Sequence, residues 1–255
     1  MPTTEILSVE GFNDFIRCLT NLKEVCNDAD IRGGLLRQRS NNHTSVFEIN
    51  LSALFNDSSI ALTNLKQKLE VLKTFQGQEV EITIDNPDDG TLGYYQFKDE
   101  FSSIKFITPT MDFMDNKFMT EVELETIFPE AEDQLIFETD MKSILTDRIR
   151  IISHYFAIET VVVEFNGETA SILAATASKD QSAKFVEGIM MNDEIDDAST
   201  NISNIAFSME HESDIKYTMF KDPNQNVALN KFETNLGDID IKVYSRSQII
   251  ESDEG

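Results

Sequence analysis

Positive charge is scarce in this sequence. Its 255 residues hold 21 Lys and Arg against 46 Asp and Glu, a formal net charge of -25. Such a balance keeps a protein soluble and repels nucleic acid from most of its surface. Any nucleic-acid function must therefore rest on where the few basic residues sit. Cysteine is scarcer still. Cys18 and Cys26 are the whole set, eight residues apart in or beside one predicted helix, and they are expected to be small buried hydrophobes in a reducing compartment rather than a disulfide or metal pair. No Cys-x-x-Cys or His-x-x-x-His spacing occurs, and His43, His154 and His211 lie in different segments. There is no Gly-rich phosphate loop, since Gly33-Gly34 stands alone. Asp85, Asp88 and Asp89 fit a hairpin turn better than a cation site. Asp193, Glu194, Asp196 and Asp197 read as a solvated acidic loop. No catalytic constellation assembles, so the expectation is a protein that is not an enzyme and uses no metal or cofactor.

Long apolar runs are missing too. None approaches the ~20 residues of a membrane helix, and Met1-Pro2-Thr3-Thr4-Glu5 has neither a basic start nor an apolar stretch after it. Neither a membrane span nor a secretory signal is expected, which points to an intracellular protein. What is present is enough apolar residue, 40%, for a large folded core in one or two domains.

Three segments have helical period. Phe12, Phe15, Ile16, Leu19, Leu22 and Val25 form one apolar stripe. Leu65, Leu69, Leu72 and Phe75 form a second, with Thr63 or Asn64 as N-cap. Met141, Ile144, Leu145, Ile149, Ile152 and Phe156 form a third, entered at Thr139 or Asp140. Most of the remainder reads as strands. Val80–Ile84 and Ile239–Val243 alternate with period two, and Asn166-Gly167 between two apolar runs is a short-hairpin signal. Helix followed by strands occurs in residues 11–109 and begins again at 140, a repeat of architecture without matching sequence. Residues 110–134 mix Met, Phe and Leu with acids without a clean period, and read as a long connector of the kind that is often functional.

The charge is segregated. Residues 12–26, 64–75 and 140–156 carry eight basic residues and five acids, whereas the rest of the chain carries 13 against 41. Lys66 and Lys73 stand opposite the second stripe, and Lys142, Thr146 and Arg150 are spaced by four on one polar face with His154. Helices with one face on a sheet and a basic opposite face can hold a phosphate backbone without reading bases. Lys and Arg are also ordinary residues of solvated helix faces, so charge by itself leaves both readings open.

Three stretches resemble the DNA sliding clamps of the proliferating-cell-nuclear-antigen type and their tailed-phage relatives. Leu36 to Phe47 is similar to a strand-turn-strand in which a His precedes a small-Val pair. Phe118 to Glu130 is similar to the interdomain connecting loop. Ile241-Lys242-Val243-Tyr244, followed by Ile249, Ile250 and an acidic tail, resembles the last strand. The resemblance implies an α+β clamp fold with two similar domains, each with helices packed on antiparallel sheet. Their bounds would be 1–109 and 135–255, with 110–134 between them. Three copies would close head to tail into a ring, sheets outside and helices inside, around double-stranded DNA. It further implies DNA contacts from Arg17, Lys23, Lys66, Lys68, Lys73, Lys142, Arg148 and Arg150. It implies a groove for short peptides of a DNA polymerase and a clamp loader, walled by His43, Val46, Leu124, Ile127, Phe128, Tyr244 and Ile249. Low similarity to cellular clamps suggests a viral clamp, working in the cytoplasm of a phage-infected bacterium or in the nucleus or viral factory of a eukaryotic host. The family's fourth helix has only a poor candidate, Ile202 to His211. The competing reading is an acidic, non-enzymatic interaction protein such as a DNA mimic. A mimic should spread carboxylates over its helices, and these helices are the basic part.

Overall fold

The computed structural model describes residues 2–56, 58–85, 93–107, 118–130, 134–156, 158, 160–166, 169–175, 182–189, 198–203, 207 and 209–251. The chain divides into two compact units, Met1–Thr120 with Asn235–Ile241, and Glu121–Thr234 with Lys242–Gly255.

In the first unit, strand β1 (Thr3–Leu7) pairs with β6 (Val80–Asp85), β6 with β7 (Tyr94–Lys98), and β7 with β8 (Ser103–Ile107), all antiparallel. Strand β6 alternates buried and half-buried residues along its length, as period two requires. A second set has the order β4-β3-β2-β5, from β2 (Ala29–Arg32), β3 (Leu35–Arg39), β4 (Ser45–Asn50) and β5 (Ile60–Leu62). Gly33 and Gly34 make the β2–β3 turn, with φ of 55° and 72°. Two consecutive positive φ values are what a two-residue hairpin needs, so this pair is a turn. The Ala61 amide donates to the Tyr95 hydroxyl at 2.7 Å, tying β5 to β7.

Helix α1 (Val9–Leu22) starts at Ser8, whose hydroxyl accepts from the Gly11 amide. Its buried face, Phe12, Phe15, Ile16, Leu19 and Leu22, packs Phe12 edge-on to Phe75 and Phe15 edge-on to Phe55. Phe55 ends the short helix α2 (Ser52–Phe55). Helix α3 (Leu65–Leu72) buries Leu65, Leu69 and Leu72, and a 3-10 turn carries it on to Phe75. Cys18 and Cys26 are buried thiols. Asn64 precedes α3 in left-handed conformation, and its side-chain amide bonds Gln67 rather than the helix backbone.

The second unit contains helix α4 (Glu121–Ile127), strands β9 (Leu135–Met141) and β14 (Ile215–Lys221), and all but the last two residues of β15 (Val227–Leu236), with β14 paired to both β9 and β15. Strands β10 (Thr160–Asn166), β11 (Thr169–Ala175), β12 (Ser182–Ile189), β13 (Ala198–Ser203) and β16 (Ile239–Glu251) run in the order β12-β11-β10-β13-β16. Asn166 pairs with Thr169, as the hairpin signal predicts.

Helix α5 (Ser143–Phe156) differs from expectation at its start and in its buried face. It begins at Ser143 because Asp214, 71 residues away, accepts the Ser143 amide at 3.0 Å. Residues 139–141, expected as its first turn, belong to β9 instead. The residues it buries are Thr146, Ile149 and Ser153. Thr146 is held by the Ser143 carbonyl at 2.8 Å and by His211 Nε2 at 2.6 Å, so a polar residue occupies the sheet side. Ile144, Ile151 and Tyr155, 59%, 51% and 79% exposed, occupy the solvent side.

The connector holds an unforeseen element, α4, which buries Leu124 one turn before Phe128. Just before it, the Met119 amide donates to the Arg37 carbonyl, and the Arg32 guanidinium lies 4.9 Å from the Phe118 ring centre. Of the fourth-helix candidate, 202–203 belong to β13, while 204–206 and 208 lie outside the described residues. So do Asp88, Asp89 and the acids at 193–197.

Candidate functional site

The eight predicted basic residues divide by environment. In the first unit, Lys66 is exposed on α3. Lys73 closes that helix and bridges Glu70 at 3.1 Å. Lys68 turns inward, donating to Thr63 Oγ1 at 3.1 Å with its ammonium 5.5 Å from the Phe106 ring centre. Burial holds the Lys68 ammonium below the usual lysine pKa, opposed by Asp28. Arg17 is half-buried and bridges Asp14 at 3.0 Å. Lys23 caps α1 and lies 3.6 Å from Glu24.

In the second unit, Arg148 is exposed on α5 between Ile144 and Ile151. Lys142, just before the helix, bonds Asp214 at 2.6 Å. That hydrogen bond pushes the Lys142 pKa up and the Asp214 pKa down. Arg150 bridges Asp147 at 2.7 Å. Among the described residues, Lys66 and Arg148 are thus the exposed cations of the set outside an ion pair. An anion approaching the paired ones must compete with a carboxylate in place.

A separate cleft of about 180 Å³ lies within the second unit. One wall is Phe128, Pro129 and Glu130, the residues that follow α4; the other is Phe220, Leu229, Asn230, Lys231 and Tyr244. Phe128 is buried, its ring centre 5.4 Å from that of Tyr244. Lys231 bridges Glu130 at 2.9 Å and Glu233 at 3.3 Å. Of the seven residues predicted for a peptide groove, Phe128 and Tyr244 line this cleft. Leu124 and Ile249 are buried, and Ile127 half-buried, elsewhere in the same unit. His43 and Val46 belong to the first unit, His43 exposed in the β3–β4 turn at φ 58° and Val46 buried in β4. Phe220, Leu229, Asn230 and Lys231 were not anticipated, although Phe220 and Leu229 pair directly across β14 and β15.

Among the described residues, no group of three or more His, Cys, Asp or Glu could hold a metal ion. No protein-family model matches the sequence, and no curated protein matches it. Solved structures do match over nearly its whole length. A PCNA from Thermococcus kodakaraensis superposes with a TM-score of 0.63 at 11% identity, covering 97% of this chain and all of that one. A PCNA from Entamoeba histolytica gives 0.63 at 13%, covering 96% and 98%. The A. fulgidus PCNA, solved with the C-terminal region of FEN-1 bound, gives 0.62 at 13%, covering 99% and 100%.

The chain has the sliding-clamp fold. It is an α+β fold of helices on antiparallel sheet, and α1, α3 and α5 are its basic-bearing helices. At 11–14% identity, the sliding-clamp backbone is retained while nearly every side chain differs. The roles of the basic residues and the cleft therefore rest on this chain's own geometry.

Proposed function

We propose that the protein is a DNA sliding clamp, a processivity factor that encircles duplex DNA without sequence preference and tethers a DNA polymerase, placed there by a clamp loader. One observation carries the reading: the sliding-clamp fold spans nearly the whole chain, and the exposed cations Lys66 and Arg148 lie on its helices α3 and α5. No catalytic residues are needed. A closed ring cannot leave duplex without opening, so weak phosphate contacts suffice and sliding stays easy. The acidic remainder discourages DNA from other surfaces.

Head-to-tail assembly of three copies requires two different patches on each chain. The first unit exposes Phe101 and Ile107 beside and on β8, one such patch. Apolar side chains exposed to this degree mark an interaction surface. Light scattering at micromolar concentration is expected to give three times the 28.9 kDa chain mass. Replacing Phe101 and Ile107 together with Asp should reduce that to one copy while leaving far-UV dichroism unchanged. A wild-type monomer under these conditions counts against the ring.

A further inference from the structure

One wall of the cleft beside Tyr244 is a segment of the chain that lies on the sheet as a bound peptide would. Helix α4 and the three residues after it form an acidic strap with Glu121, Glu123, Glu125 and Glu130. The strap sits down through Leu124 and Phe128, one helical turn apart and both buried, and through the Glu130–Lys231 ion pair at 2.9 Å. Val122 stands out to solvent at 71% exposure. Two apolar anchors one turn apart on a short helix, with a charge clip beyond them, is how an amphipathic peptide lies in a groove. The buried Phe128 ring packs on Tyr244, their centres 5.4 Å apart. On the sheet side, Lys231 is the one cation among the cleft's lining residues, and its side chain is 14% exposed.

We infer that Phe128-Pro129-Glu130 is a built-in occupant of a partner groove, and that the groove selects acidic peptides bearing an aromatic residue with a carboxylate two positions after it. This rests on the reading of the cleft as the partner site of a clamp. The aromatic side chain of the partner takes the place of Phe128 against Tyr244, and its carboxylate replaces Glu130 on Lys231. Because the strap is tethered, it competes at high effective concentration. Only partners matching both features displace it, so the strap sets a threshold for binding.

The test uses a fluorescent, end-blocked peptide with the sequence of residues 121–130, added to the full-length protein. Phe128→Ala protein should bind it at least tenfold tighter than wild type. Glu130→Gln protein, which keeps the buried ring and so guards against a folding defect, should bind it several-fold tighter. A peptide with Ala in place of its Phe should lose binding, and Lys231→Met in the Phe128→Ala background should weaken it about tenfold. Equal affinity for wild type, Phe128→Ala and Glu130→Gln overturns the inference, as does equal binding of the Ala peptide. Polymerase stimulation, measured separately on the wild type, reports on the clamp reading. Stimulation without peptide binding overturns the strap alone, and peptide binding without stimulation overturns the clamp.

Discussion

Reversing two charges, Lys66→Glu with Arg148→Glu, should cut polymerase stimulation on long primed templates at least tenfold while leaving the assembly state unchanged. Both side chains are exposed, one on α3 and one on α5, and among the described residues neither sits in an ion pair like those of Lys73, Lys142 and Arg150. In a three-copy ring, six positive charges become six negative ones. Each phosphate contact contributes a slope of about -0.9 in log affinity against log salt, so the variant should also flatten the salt dependence of stimulation. Reversing Lys68 should act differently. Its ammonium is packed against Thr63 and Phe106, so Lys68→Glu should lower stability more than DNA attraction. Stimulation that persists after Lys66 and Arg148 are reversed removes the helices from the DNA interface.

Asn230→Leu should destabilise the fold by about 2–5 kcal/mol, because it takes the Asn230 bond from the buried Tyr217 hydroxyl and the Ser245 carbonyl at ~1–3 kcal/mol each. Asn230 Oδ1 accepts from the buried Tyr217 hydroxyl at 2.8 Å, and its amide donates to Ser247 Oγ at 2.9 Å and the Ser245 carbonyl at 3.3 Å. Thr200 extends the network by donating to Ser247 Oγ at 2.7 Å. One side chain thus fixes β14 and β16 to β15, and its residue also lines the cleft wall opposite Phe128. Burial drives the Tyr217 pKa well above the ordinary tyrosine value, so that hydroxyl stays protonated and cannot escape the loss by ionising. Urea unfolding reads the effect, and a change within 0.5 kcal/mol shows that the network does not hold the strands. The same variant should loosen peptide binding in the cleft through misplacement of Leu229 and Lys231.

The elements legible in the sequence were those with long, clean periods. The stripes of α1 and α3 identified their buried faces, and β6 alternated as its sequence does. Helix α5 was legible as a helix and misread as a face. Thr146 can lie inward because His211 and the Ser143 carbonyl hold its hydroxyl, a partnership that a hydrophobic stripe does not encode. Its start was hidden for a related reason: the Asp214 cap comes from a distant loop. Helix α4 was too short and too acidic to show a period, although Leu124 and Phe128 are spaced by four. The cleft was half legible. Phe128 and Tyr244 came from resemblance, whereas Lys231 and Asn230 sit on a strand where nothing local marks them as a site.

Topological retention tests the central claim most directly. The protein, loaded by its cognate loader onto nicked circular duplex, is passed through a sizing column in high salt before and after one restriction cut. A clamp stays with the circle and is lost once the DNA is linear. Release from circle and linear DNA alike, or retention on both, would contradict a ring around DNA.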